Sequence, residues 1–159
     1  MTVGGGGGGE NPFELGTDGP TAVLVGVDDS TTSLRAAAYA VGLARRQGAK
    51  VTVVYVAPVA SLATATPGGA DLAAARRNAF SQIADGMRRR FEEASKELGI
   101  SITFIVTEGD AFIELRRIAD EMRADAVVVG ASAHAGHRLI GSLAVRLVRA
   151  GRWPVTVVP

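Results

Sequence analysis

Short runs of Val, Ile, Leu and Ala alternate along this chain with longer stretches in which apolar residues recur every three or four positions. The first run, Ala22-Val23-Leu24-Val25-Gly26-Val27, has the length and β-branched content of a buried parallel strand. Asp28-Asp29-Ser30 follows it as a helix-start signal. A helix is predicted over Ser33 to Gln47, with Leu34, Ala37, Ala38, Val41 and Ala44 on its inner face and Gly48 as its C-terminal cap. Val51 to Val56 is the second strand. After a Pro- and Gly-containing loop from Ala57 to Gly69, a long helix is predicted over Asp71 to Leu98. Its apolar stripe is Leu72, Phe80, Ile83, Met87, Phe91, Ala94 and Leu98.

The third strand, Ile100 to Val106, alternates polar and apolar positions. Asp110 is the expected N-cap of the next helix, whose inner face is Phe112, Leu115, Ile118, Ala119 and Met122. Ala126 to Val129 is the fourth strand. A loop from Gly130 to Gly141 leads to a short helix, Ser142 to Ala150, capped by Gly151. The last strand is Val155 to Val158.

Strands that alternate with helices imply parallel pairing and right-handed crossovers. The fold class is therefore α/β, an open doubly wound five-stranded parallel sheet with helices on both faces. Ligands in such sheets bind beyond the carboxyl ends of the strands. Order is expected from Thr21 onward, so residues 21–159 form one domain. Residues 1–20 carry the glycine run Gly4 to Gly9 and are expected to be a flexible arm.

Composition narrows the function more than the fold. Seventeen basic residues balance sixteen acidic ones, and the pairs Arg45–Arg46, Arg76–Arg77 and Arg88–Arg90 fall on helical faces, where solvated surface is the simplest account. A nucleic-acid partner is not expected. The chain has no cysteine, which excludes disulfides, thiolate catalysis and Cys-ligated metals. No apolar run approaches the ~20 residues of a membrane helix, and the N-terminus lacks the pattern of a signal peptide. A cytoplasmic location is the expectation.

Three strand ends carry candidate chemistry. After the first strand, Asp28 and Asp29 offer carboxylates to a ribose or a metal, with Asp28 nearer the strand tip. Helix capping by Asp29 or Ser30 is the competing account. After the fourth strand, Gly130 and the pair Gly141-Ser142 permit close backbone approach at a helix N-terminus, which suits a di- or triphosphate. There the competing account is a tight connection with Ser142 as a plain N-cap. Tyr55-Val56-Ala57, at the end of the second strand, is a strand end beside the first that can offer backbone polar groups to a planar base.

Together these segments resemble the universal stress protein family. Val25-Gly26-Val27-Asp28-Asp29-Ser30 is similar to its V-x-V-D-x-S opening, and Val54-Tyr55-Val56 to its apolar-His-Val strand end. Glu108-Gly109-Asp110, Ala124-Asp125-Ala126-Val127-Val128-Val129-Gly130-Ala131-Ser132 and Gly141-Ser142-Leu143-Ala144 follow in family order. Trp153-Pro154-Val155-Thr156-Val157-Val158 resembles the family's C-P-V-x-V-V ending. The resemblance implies a stress-response or signalling protein that forms a homodimer and binds an adenine nucleotide, ATP or a related one, with Mg²⁺ accompanying the phosphates.

Carried over residue by residue, Gly130, Gly141 and Ser142 match the phosphate loop of the family's ATP-binding branch. Leu143 supplies a backbone amide, Asp28 reaches the ribose and Val56 meets adenine. The sequence departs from that loop in two ways. Ala133 stands where the second glycine belongs, and the stretch from Gly130 to Gly141 is two residues short, worth up to ~7 Å of contour. The alternative is a dimeric interaction module of the same family with a degenerate phosphate loop.

Other functions find less support in the residues. The near miss to a nucleophile elbow, Gly130-Ala131-Ser132-Ala133-His134, lacks its final glycine. His134 and His137 have no evident third metal ligand. A response regulator would need an aspartate at the end of the third strand, where Val106-Thr107-Glu108 stands. A dinucleotide enzyme would need G-x-G-x-x-G after the first strand. No catalytic residue is assigned, and any ATP hydrolysis is expected to be slow. Val155, Val157 and Val158 form an apolar strand edge, which two-fold pairing would cover in a homodimer.

Overall fold

The structure is a computed structural model that describes residues 19–59, 69–132 and 141–159. The expected arm before Gly19, most of the loop after Ala57, and Ala133, His134, Gly136 and His137 lie outside the described residues. The element order is β1 (Ala22–Val27), α1 (Thr31–Gln47), β2 (Lys50–Ala57), α2 (Gly69–Leu98), β3 (Ile102–Glu108), α3 (Ala111–Glu121), β4 (Ala126–Gly130), α4 (Ser142–Ala150) and β5 (Val155–Val158). The five strands pair in parallel in the order β3-β2-β1-β4-β5.

Right-handed crossovers determine which face each helix covers. The chain steps from β1 to β2 to β3 in one direction, then returns to β4 on the other side of β1 and continues to β5. Accordingly α1 and α2 pack on one face, over Val23, Val25, Val51, Val53 and Tyr55. Helices α3 and α4 pack on the other, over Leu24, Val54, Val127 and Val129. Leu24, Leu115 and Leu147 are almost completely buried there, each contributing ~1.5–3 kcal/mol of transfer free energy. The direction of winding reverses between β1 and β4, which makes their carboxyl ends the switch point of the sheet.

Local signals in the sequence set most element ends. Gly48, Gly99 and Gly151 adopt positive φ after α1, α2 and α4, a conformation that glycine reaches without steric cost. Asp110 caps α3 by accepting from the Ile113 amide at 3.0 Å. At the opposite end of the sheet, one oxygen of Asp125 accepts from the Thr21 amide, the Thr21 hydroxyl and the Ala22 amide at 2.7, 2.8 and 2.9 Å. This carboxylate ties the start of β1 to the residue before β4. The hydrogen bonds from Thr21 and Ala22 hold its carboxyl below the usual aspartate range.

Packing departs from the periodicity in three places. The buried residues of α1 are Ser33, Ala36, Ala37, Ala40 and Ala44, whereas Leu34 and Val41 are half-buried and Ala38 is exposed. The α1 residues that the sheet buries are all small, and Leu43 packs against the same cluster while remaining half-buried. In α2, Leu72 and Leu98 are exposed at the ends of the predicted stripe, because the helix extends past the sheet it covers. β3 is an edge strand whose residues alternate between half-buried and exposed along much of its length. It is therefore not covered on both faces as the central strands are. The arginines of the three basic groups are all exposed.

Candidate functional site

The carboxyl ends of β1, β2 and β4 and the N-termini of α1, α3 and α4 surround a cleft of about 210 Å³. All the residues singled out for nucleotide binding line it: Asp28, Val56, Gly130, Gly141, Ser142 and Leu143. The alternation of a strand explains the division of roles at β2. Val54 and Val56 face the cleft, while Tyr55 faces the α1–α2 side. Tyr55 is buried there, and burial, reinforced by the negative charge of Asp29 and Asp28, pushes its hydroxyl above the usual tyrosine range.

The mouth of the cleft is built on the β1–α1 connection. Asp29 takes a left-handed conformation with φ 65°, a geometry that Asp tolerates better than most residues. Ser30 is the N-cap of α1, its hydroxyl accepting from the Ser33 amide at 3.2 Å. One Asp28 oxygen accepts from the Ser30 amide at 3.1 Å. The Asp28 amide in turn donates to the Ser33 hydroxyl at 3.2 Å, which itself donates to the Ser30 carbonyl at 2.9 Å. Partial burial would raise the Asp28 carboxyl, but the hydrogen bonds at Ser30 and Ser33 outweigh it and bring the group below the usual range. The carboxylate is ionised at neutral pH and faces the cleft as a hydrogen-bond acceptor. Of the two acidic residues, Asp28 lines the cleft and Asp29 does not.

Gly130 has a steric role that its candidacy as a phosphate-loop residue did not reveal. A Cβ there would lie 2.6 Å from the Ser33 nitrogen and the Thr32 carbonyl carbon, so β4 ends in direct backbone contact with the start of α1. The Thr32 hydroxyl spans the same junction and donates to the Ala131 carbonyl at 2.7 Å. Gly141 is also close-packed, its Cβ position being 3.0 Å from the Ser132 side chain.

Three helices begin at this cleft, and they differ in how their first turns are capped. Ser30 caps α1 and Asp110 caps α3. Helix α4 has Gly141 at the N-cap position and no side-chain cap. Ser142 is the first helical residue rather than the cap, which corrects the alternative weighed for it. With Gly141 one position earlier, the first-turn amides of α4 receive no hydrogen-bond acceptor from a capping side chain. Those amides carry the positive end of the helix dipole.

The floor of the cleft was not legible as a site. Leu115, Ala111 and Val129 line it together with Val54 and Val56. Leu115 lies over Gly26, where a Cβ would fall 2.9 Å from a Leu115 methyl. A glycine within a strand is the sequence mark of such close approach, but it does not identify the partner. Thr32 carried no sequence signal at all. No lysine or arginine lines the cleft among the described residues, so the α4 first turn is its main positive feature.

Comparisons with known proteins agree with this architecture. The universal stress protein family matches residues 21–159. A universal stress protein of Methanocaldococcus jannaschii is 27% identical over 145 residues, covering 86% of this chain and 80% of its own. The universal stress protein UspA of Lactobacillus plantarum superposes with a TM-score of 0.72 at 25% identity, covering 87% of this chain and 97% of that one. A universal stress protein solved in complex with cAMP superposes with a TM-score of 0.60 at 26% identity, covering 87% and 96%.

Proposed function

This chain belongs to the universal stress protein family, and we propose that its cleft between β1 and β4 binds an adenine nucleotide in a stress-response or signalling role. The observation that carries the proposal is the pairing of two unlike walls. An apolar floor of Val54, Val56, Ala111 and Leu115 lies beneath a helix N-terminus that has no side-chain cap. A planar base needs the first, and a phosphate needs the second. The cAMP complex of a family relative supports the same class of ligand.

In this reading Val56 and its neighbours hold adenine, and the Asp28 carboxylate accepts from ribose hydroxyls. Gly130 and Gly141 let the backbone approach, and the amides of Ser142 and Leu143 meet phosphate. Mg²⁺ accompanies the phosphates of ATP. Among the described residues, no group of three His, Cys, Asp or Glu side chains offers it a site independent of the nucleotide. The described cleft is smaller than the ~300–1,000 Å³ that enclose a drug-sized ligand, so it accepts part of the nucleotide and leaves the rest at its mouth. In this reading the protein acts by binding, with hydrolysis slower than ~1 s⁻¹.

Homodimerisation through β5 belongs to the same proposal. Val155, Val157 and Val158 lie half-buried on an edge strand, and pairing with a second copy would cover them. Light scattering at micromolar concentration tests it, and a monomer would remove it.

One observation favours a second reading, in which the family fold serves as an interaction module without nucleotide. Set beside the phosphate loop of the family's ATP-binding branch that it resembles, the segment from Gly130 to Gly141 is two residues short and has Ala133 where a glycine belongs. Thermal shift against millimolar ATP–Mg²⁺, AMP and cyclic AMP separates the two. Ligand at a hundred times its Kd stabilises by ~2.7 kcal/mol, which raises Tm by roughly 5 °C or more in a domain of this size. A shift that disappears in Gly141→Val places phosphate at the start of α4. No shift with any nucleotide leaves the interaction module.

A further inference from the structure

On the face of the molecule away from the cleft, α1 and α2 leave an apolar groove of about 250 Å³ between them. Its walls are Leu34, Ala38 and Val41 from α1, and Met87, Phe91 and Ala94 from α2, with Arg90 also lining it. The groove follows from the packing of α1. Small residues of that helix face the sheet, and Leu34 and Val41 are turned toward α2. Leu34, Val41 and Phe91 remain only half-buried there. We propose that this groove is covered by the same chain, through the apolar residues Phe13 and Leu15 of its N-terminal segment.

Reach supports this occupant. The described chain starts at Gly19, which lies against the Gln47 side chain at the C-terminal end of α1. Val41 is six residues earlier on that helix, ~9 Å along its axis, and Leu34 is a further ~10 Å beyond it. Leu15 precedes Gly19 by four residues and Phe13 by six, so an extended chain carries them up to ~13 and ~20 Å from it. Those spans match the near end and the far half of the groove. Residues two apart in an extended segment share one side, so Phe13 and Leu15 enter together.

Charge supports it as well. Residues 10–18 include Glu10, Glu14 and Asp18 and no basic residue. The surface they would cross carries Arg45, Arg46 and Arg90, all exposed and without an ion pair among the described residues.

The absence of cysteine from the chain permits a clean test in the full-length protein. Leu15→Cys is combined with Ala38→Cys inside the groove, or with Tyr39→Cys, an exposed neighbour on the same helix that does not line it. Under mild oxidation, the groove pair should form a disulfide within one chain at least tenfold faster than the Tyr39→Cys pair. Equal rates for the two pairs would overturn the proposal. So would a disulfide that forms mainly between chains, which would assign the groove to a second copy. Phe13→Ser in the groove pair should slow the reaction toward the Tyr39→Cys rate, and an unchanged rate would count against Phe13 as an anchor.

Discussion

Thr32, in the first turn of α1, donates its hydroxyl hydrogen to the carbonyl oxygen of Ala131, the first residue beyond β4, at 2.7 Å. That bond joins two segments 99 residues apart and sets the direction in which the chain leaves the sheet toward the candidate phosphate site. Thr32→Val keeps the shape and removes the donor. It should cost ~1 kcal/mol, measured as a lower urea midpoint at unchanged m-value. Nucleotide affinity, where a thermal shift is present, should fall with it. An unchanged midpoint would show that water replaces the hydroxyl without loss.

Two glycine-to-alanine substitutions should move stability in opposite directions. At Gly130 the new methyl would meet backbone atoms of Thr32 and Ser33 at 2.6 Å, which cannot move without displacing α1. Gly130→Ala should therefore destabilise by ~1–3 kcal/mol and weaken the cleft. At Gly86, inside α2, a methyl meets nothing within 4 Å. Gly86→Ala should stabilise by ~0.4–1 kcal/mol through helix propensity and the lower entropy of the unfolded chain. Calorimetry on the two variants checks both signs.

Leu115 joins the core to the site. It is 1% exposed and forms the floor of the cleft over Gly26. Leu115→Ala should cost ~2–5 kcal/mol, the range for truncating a buried leucine. The deepened cleft should lose nucleotide stabilisation by more than the change in Tm explains. A variant that binds nucleotide as the wild type does would separate the floor from the binding site.

Asp125 should leave a signature in acid. Its carboxyl is held below 3.8 by hydrogen bonds from Thr21 and Ala22. A carboxylate with a lowered folded value contributes stability above the unfolded value, and that contribution is lost as pH falls through the folded value. Asp125→Asn lacks it. The stability gap between wild type and Asp125→Asn should be flat from about pH 7 to 5 and narrow below about pH 3.8. A gap that stays constant to pH 2 would show that the bonds to Thr21 do not depend on ionisation.

The elements differ in how far their own residues specify them. The strand runs, the caps at Ser30 and Asp110 and the stop glycines Gly48 and Gly151 were legible because each is a short-range effect. A cap needs only an oxygen two or three residues before an amide, and a left-handed stop needs only a residue without Cβ. The cleft residues were legible for a related reason. In a doubly wound sheet, the residues that leave each strand are brought to one edge by topology, so Asp28, Val56 and Gly130 had to be near one another.

By itself, then, the sequence determined the α/β class, the succession of elements and the end of the sheet at which the cleft lies. Tertiary structure decided what depends on distance between elements. It placed Leu115 over Gly26, set the backbone of Gly130 against Thr32, and left α4 without a side-chain cap beside an apolar floor. It also chose the inner face of α1. Periodicity selects Leu34, Ala38 and Val41 along with Ala37 and Ala44, but the sheet buries Ser33, Ala36 and Ala40 in place of the first three. Apolar content is a property of a residue, whereas the space available to it belongs to its neighbours.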